Sequence, residues 1–422
     1  IRGGLGASVA NVSKAYFSAN MFLNHAATNP VFSFLTSLGD HTDYAAEYPF
    51  FDEAGREKRF AHLRGNDPSA AAPERVLTTS RPNVVVVILE SFARTVMDAD
   101  VGGLPVMPNM QRLKGEGIWF ENFFANSFRT DRGEVAILSG FPAQTRMSIM
   151  KLPAKSRNLP SLARSLSGAG YATGFSYGGD LNFTDQASYM YATGWQQLTW
   201  QKDLRFDTPP ADWGYDDAVM CDWFADRVIA LSGKGEPFLA GMLTLSSHRP
   251  FDVPFSKFDD KELNAFAFSD ECVGRMVDKL KASPAWDNLL LVLVADHGYP
   301  WPRSLSYNEP LRHRIPMIWL GGAVAAPRVV DTYASQIDIC ATILGQLGID
   351  HSDFDYSKDI FAPTPPRKFA YYTFNDGFGV VDASGEAVWD ATSGKAVSET
   401  APGLLDIGRT MLQTTYVDIG NR

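Results

Sequence analysis

Asn83-Val84-Val85-Val86-Val87-Ile88-Leu89, followed at once by Glu90-Ser91-Phe92, is the stretch on which the fold turns. A strand with one wet face alternates apolar and polar residues. Here the apolar side chains run on without a break, so both faces are expected to be covered, as in parallel sheets flanked by helices. Runs of the same kind occur at 237–245, 288–295 and 315–320, with a shorter one at 171–176. Stretches with helical patterning lie among them, at 107–116, 159–168, 215–232, 262–282 and 335–347. Strands alternating with helices predict an α/β fold, a three-layer α/β/α sandwich with a mainly parallel central sheet.

The two ends of the chain read differently. Spaced Phe, Leu, Met and Tyr over 9–38 suggest one or two helices, and Asp67-Pro68-Ser69-Ala70-Ala71-Ala72-Pro73 reads as an extended linker. After residue 367, the segments 369–374, 377–380 and 387–390 read as short antiparallel strands with Gly-containing turns, and 404–417 as a closing helix. The expected organisation is a helical linker or juxtamembrane segment over 1–80, a main α/β domain over 81–366, and a small α+β region over 367–422.

Composition narrows the function. The chain has 422 residues, 45% of them hydrophobic and 20% charged, which excludes a largely disordered protein. With 38 basic against 48 acidic residues the net charge is −10, so no nucleic-acid partner is expected. Cys221, Cys272 and Cys340 are too few for a disulfide framework and lack zinc-site spacing; they read as buried thiols. The densest apolar run, 84–89, falls far short of the ~20 residues that cross a bilayer. No leader pattern is visible. The chain is expected to be soluble as it stands, and its start at Ile1 fits a fragment whose anchor lies elsewhere.

Ligands of open parallel sheets sit beyond the carboxyl ends of the strands. The run 83–89 ends in Glu90, and 288–295 ends in Asp296-His297-Gly298. The run 237–245 ends in Ser246-Ser247-His248-Arg249-Pro250-Phe251, and 171–176 in Tyr177-Gly178-Gly179-Asp180. Carboxylates together with imidazole suit Mn, Mg or Zn. A nucleophile is supplied by the segment 123–133, in which Thr130 falls at or just before the start of an apolar helix. Free N–H groups and the helix dipole favour an anion there. A metal-bound hydroxyl in that place can lose its proton and attack phosphorus. Each residue also has an ordinary reading: Glu90 as a first-turn acid, Thr130 as a cap, Asp296-His297-Gly298 as a turn, His248 as a loop brace. Their joint order after strand ends favours chemistry.

These motifs, 83–92, Thr130, 246–251 and Asp296-His297-Gly298, resemble the lipoteichoic acid synthase family of phosphoglycerol transferases, within the alkaline phosphatase and sulfatase superfamily. The resemblance covers residues 80–350. It implies an alkaline phosphatase-like fold and one divalent ion, Mn or Mg ahead of Zn, held by Glu90, Thr130, Asp296 and His297. Thr130 doubles as nucleophile, and His248 corresponds to a histidine of the substrate pocket. The family implies an extracytoplasmic catalytic half, periplasmic or on the outer face of the membrane, of a membrane-anchored enzyme. Its donor is a phosphatidylglycerol-like phospholipid and its acceptor an envelope glycan or glycerol phosphate. Gram-positive members follow an Asn-Phe pair with Trp and Arg. Here Asn182-Phe183 precedes Thr184-Asp185-Gln186, so that grip on phosphate is missing. Arg129 and Arg132 are the candidates for the missing charge, with Asp180 and Asn182 completing the candidate substrate-binding set.

Rival chemistries leave different marks. A sulfatase needs Cys or Ser in a Cys-x-Pro-x-Arg-like setting, whereas this chain has Thr130-Asp131-Arg132-Gly133, so sulfate-ester hydrolysis is not expected. Phosphoethanolamine transferases use a threonine too, and a phosphodiesterase or phosphatase is a further alternative. A non-catalytic module that binds envelope polymers is the alternative of another class; the complete ligand set argues against it.

Overall fold

The computed structural model describes residues 10–37, 42–65, 72–363 and 368–422. The central sheet is built from β1 (Asn83–Leu89), β2 (Ile118–Phe120), β3 (Ala172–Tyr177), β4 (Gln197–Trp200), β5 (Phe238–Leu243), β6 (Leu289–Ala295), β7 (Met317–Leu320) and β8 (Arg328–Val330). Their order across the sheet is β8-β2-β7-β6-β1-β5-β3-β4. β1 lies in the middle, parallel to β5 on one side and β6 on the other. Residues 84–89 have no exposed surface at all, which is why their apolar run has no polar alternation.

The helices that cover the sheet form two packed groups. In one, α8 (Lys261–Lys281) packs on α7 (Asp217–Ser232) and α4 (Pro108–Lys114). In the other, α5 (Thr130–Ser139) packs on α6 (Leu162–Gly168) and α9 (Ile339–Leu347). The expected three-layer α/β arrangement is therefore present. One strand departs from the parallel reading: β7 runs antiparallel to both β6 and β2. The chain between β6 and β7 forms only a one-turn helix, Pro310–His313. It stays at the carboxyl end of β6, where the Arg312 side chain bonds the Gly298 carbonyl, so the chain re-enters the sheet from that end.

The C-terminal region holds a four-stranded antiparallel sheet, β9 (Ala370–Phe374), β10 (Gly377–Asp382), β11 (Gly385–Asp390) and β12 (Lys395–Glu399). The closing helix α10 (Leu404–Asn421) packs on it. This region braces the main domain: Asn126 Nδ2 donates to Tyr371 O at 2.7 Å, and Thr373 N–H to Asn126 O at 2.8 Å. Near the other end lie α1 (Met21–Ala27), α2 (Pro30–Ser37) and α3 (Glu53–Arg64). α3 packs on α10, while Tyr48 joins Tyr416 and Thr145 in one hydrogen-bonded and aromatic cluster. The stretch expected as a linker, 67–73, lies outside the described residues up to Ala71. Among the described residues no helix is long and apolar enough to cross a membrane.

Candidate active site

Glu90, Asp296 and His297 meet at the carboxyl ends of the central strands β1 and β6. Each offers one ligand atom, and these atoms lie within 4.8 Å of one another. His297 Nε2 is 3.7 Å from Glu90 Oε1 and 3.5 Å from Asp296 Oδ2. Its Nδ1 faces the Gly298 carbonyl at 3.2 Å, an atom that only accepts, so Nδ1 carries the proton and Nε2 keeps a lone pair for the cluster. Thr130 is the first residue of α5, and its hydroxyl donates to Glu90 Oε2 at 3.3 Å. The structure thus brings all four expected ligands together.

Backbone and side chains hold these groups rigidly. Ser91 adopts a left-handed conformation (φ 59°), a costly one for a non-glycine residue. Its N–H then meets Asp296 Oδ1 at 2.7 Å, while its hydroxyl donates to Glu90 Oε1 at 2.7 Å. Thr244 and Ser247, beyond β5, bond the Glu90 backbone N–H and carbonyl at 2.8 and 2.6 Å. Gln336 Nε2 donates to the carbonyls of Ala295 and Asp296, and its Oε1 accepts from Asn126 N–H at 2.8 Å. That one amide ties the end of β6 to the segment leading into α5.

The donor set fits a divalent cation. Asp296 Oδ2 is buried with no hydrogen-bond partner among the described residues. Burial, and then the charge of Asp296, push the Glu90 carboxyl well above its ordinary range. A cation between them would relieve both costs. The His297 imidazole is pushed down, first by burial, which favours the neutral form that ligates.

The other expected residues are placed less uniformly. His248 follows β5, with its Nδ1 2.7 Å from Arg249 O and its ring against Trp213 at 4.7 Å between centroids. Asp180 Oδ1 accepts from both the backbone and side-chain N–H groups of Asn182, closing the turn beyond β3; Phe183 packs on the same Trp213. Arg129, the residue before α5, is exposed, and its guanidinium lies 5.8 Å from the Phe128 ring. Arg132 sits otherwise than expected. It is turned inward, buried, with Nη1 3.4 Å from Ser127 Oγ and 3.1 Å from Thr145 O. Asp131, one residue after the half-buried Thr130, is itself buried and paired with Lys151 at 3.1 Å; the next position already faces the interior.

A family model described as Sulfatase matches residues 82–349. The chain belongs to the sulfatase family. Two relatives named phosphoglycerol transferase I are similar to it. The protein of Xanthomonas campestris pv. campestris is 26% identical over 347 residues, covering 74% of this chain and 47% of the relative. That of Salmonella arizonae is 28% identical over 317 residues, covering 69% and 41%. The chain thus spans less than half the length of these relatives. Among solved structures, an alkaline phosphatase superfamily protein from Vibrio parahaemolyticus has a TM-score of 0.76 at 23% identity, covering 89% of this chain and 98% of that one. The lipoteichoic acid synthase LtaP of Listeria monocytogenes has a TM-score of 0.72 at 19% identity, covering 86% and 98%. Both show the same fold.

Two residues of this sulfatase-family site went unread in the sequence. Gly133 lies where α5 crosses the end of β6, and a Cβ there would collide with the Asp296 carbonyl oxygen. Gly133→Ala is expected to push the start of α5 off the cluster, with about a 100-fold loss of turnover and ~1–3 kcal/mol of stability. Turnover within twofold of wild type would refute the close approach. Glu134, one turn after Thr130, is fully buried, and neither carboxylate oxygen has a hydrogen-bond partner among the described residues. Burial, then Asp296 and Asp131, push its carboxyl well above the ordinary range. The folded chain therefore retains a proton that the unfolded chain releases above about pH 4.3, and stability falls as pH rises from there. Glu134→Gln removes this dependence. In chelator, its melting-temperature advantage over wild type should widen from pH 5 to pH 8; a constant gap would contradict the buried neutral acid.

Proposed function

We propose that the chain is the catalytic part of a phosphotransferase that moves a phosphoglycerol-type group from a phosphatidylglycerol-like phospholipid to an envelope glycan or glycerol acceptor. The observation that carries the reading is the Thr130 hydroxyl, at the first residue of α5 and 3.3 Å from Glu90 Oε2, beside the Glu90, Asp296 and His297 cluster. The names of the two relatives support the transferred group. Residues 81–366 carry the chemistry, 367–422 brace it, and 1–80 connect it toward a membrane, on the extracytoplasmic side.

The chemistry proceeds in two displacements. Thr130 Oγ1 forms a bond to the headgroup phosphorus, and the bond from phosphorus to the diacylglycerol oxygen breaks. That oxygen leaves as the alcohol, taking up a proton. The acceptor oxygen then bonds to phosphorus while the bond from phosphorus to Thr130 Oγ1 breaks, and the acceptor's proton passes to His248, which regains the proton it gave to the leaving oxygen. Glu90, Asp296 and His297, with Thr130, would hold one divalent ion, Mn or Mg ahead of Zn because most donors are oxygen. When bound, it would supply positive charge beside the threonine oxygen and the phosphate. Arg129 and the N–H groups at the start of α5 bind the phosphate oxygens. His248 holds the proton for the leaving oxygen. Sulfate-ester hydrolysis is disfavoured, because the nucleophile position is threonine and all three cysteines are buried elsewhere.

Incubation with phosphatidylglycerol and Mn, followed by mass spectrometry of the Thr130 peptide, should show a phosphoglyceryl adduct and free diacylglycerol. Diacylglycerol release with an unmodified Thr130 would overturn the covalent route, and an adduct only from phosphatidylethanolamine would change the donor. His248→Ala should lose about 100-fold on the lipid and less than about threefold on a nitrophenyl phosphodiester, whose leaving group needs no proton. Equal losses would leave His248 a binding role alone.

A further inference from the structure

The segment before α3 displays what a folded domain ordinarily hides. Phe17, Phe22, Leu23, Val31, Phe34 and Leu35 are all exposed, Phe22 to 75% and Val31 to 64%. Val31, Phe34 and Leu35 stand at i, i+3 and i+4, so α2 turns an apolar stripe to the outside. Apolar side chains exposed in this number mark an interaction site. Residues 15–39 contain no Asp, Glu, Lys or Arg, although the chain as a whole carries a net charge of −10. A charged protein partner would find nothing to pair with on this face.

Cations collect at its rim instead. Between this segment and the turn after Ser148 lies a cavity of about 750 Å³, walled by Tyr16, His25 and Phe32 on one side and Lys151, Lys155 and Arg157 on the other. Asp185 also lines it, with its carboxyl pushed up to about 6, chiefly by burial. An uncharged apolar face beside clustered cations is the complement of an anionic phospholipid surface. The face also adjoins the candidate active site. Lys151 Nζ is 3.1 Å from Asp131, the residue after Thr130, and Asn11 Nδ2 donates to Asn182 O at 2.7 Å.

We propose that α1 and α2 dock on an anionic phospholipid bilayer, with Phe22, Val31, Phe34 and Leu35 at the boundary between headgroups and acyl chains and Arg157 facing lipid phosphates. The catalytic crevice is thereby held beside the leaflet that contains its donor. The idea deepens the phospholipid-donor reading and rests on it, but the two fail separately.

Flotation with vesicles of phosphatidylglycerol and phosphatidylethanolamine, against vesicles of phosphatidylcholine alone, tests it. The wild-type chain should float with the anionic vesicles. Phe22→Glu/Phe34→Glu should weaken binding to them by at least ~10-fold, and Arg157→Glu should reduce the preference for anionic lipid. Both variants should melt as wild type does and hydrolyse a soluble nitrophenyl phosphodiester at the wild-type rate. A wild-type chain that stays unbound with both vesicle types overturns the proposal, as does undiminished binding by the Phe double variant. So does a wild-type dimer that this variant converts to monomer while vesicle binding is unchanged, since the face then belongs to a second copy. Vesicle binding by a chain that leaves the diester intact supports the docking face and counts against the proposed chemistry.

Discussion

Thr130→Ala is expected to lower phosphoglycerol transfer by at least ~10³-fold, the scale on which loss of a nucleophile is felt, while the protein still folds. The change removes the one oxygen positioned to bond phosphorus. It costs the fold little. The helix start keeps Arg129 as its N-cap, in extended conformation (φ −138°, ψ 143°), and Glu90 Oε1 keeps its bond from Ser91. What goes is a single 3.3 Å hydrogen bond to Glu90 Oε2, a contribution of ~1 kcal/mol, or a melting shift of about 1 °C. Thr130→Ser retains the hydroxyl and should recover a substantial part of the rate. The measurement is diacylglycerol release from phosphatidylglycerol, alongside thermal melting. Near-wild-type release from the alanine variant would remove Thr130 from the chemistry, and a large drop in melting temperature would make its role structural.

The residues of this site that were legible in the sequence share one property: each follows an element whose own pattern is unmistakable. Glu90 and Asp296-His297 come directly after apolar runs that are fully buried, and Thr130 opens a helix whose next nine residues are all buried. Legibility falls where the information is long-range or short in extent. β2, β4 and β8 have only three or four residues each, too few for a period to register. The direction of β7 depends on where the chain from Asp296 to Pro316 turns, which its own apolar run does not encode. Gln336 bonds Asn126 from 210 positions away, and no local signal marks either residue. The nearness of Arg132 to Thr130 in sequence does not carry over to the site. On a helix two residues apart point roughly opposite ways, whereas four apart share a face, so the neighbour of consequence is Glu134.

The face shared by those residues ends at Asp296, where the second large effect is expected: Asp296→Asn should abolish stabilisation by divalent ions. Asp296 Oδ1 accepts from Ser91 N–H and His297 N–H, both at 2.7 Å, and an asparagine oxygen keeps both bonds. Oδ2 is the unpartnered atom, 3.5 Å from His297 Nε2, and asparagine replaces it with an amide nitrogen that has no lone pair for a metal. In wild type, Mn at about 100 times its dissociation constant adds ~2.7 kcal/mol of stability. For a chain of 422 residues that is a melting-temperature rise of about 3 °C. The variant should show no rise. In chelator the order should reverse, with the variant melting at or above wild type, because the charge of Asp296 is one of the causes that push the buried Glu90 carboxyl up. A purely structural role for Asp296 predicts the opposite: a variant less stable in chelator and still raised by Mn. Scanning both proteins with Mn, Mg, Zn and chelator distinguishes the two, and an equal rise in wild type and variant would dismiss the cluster as the metal site.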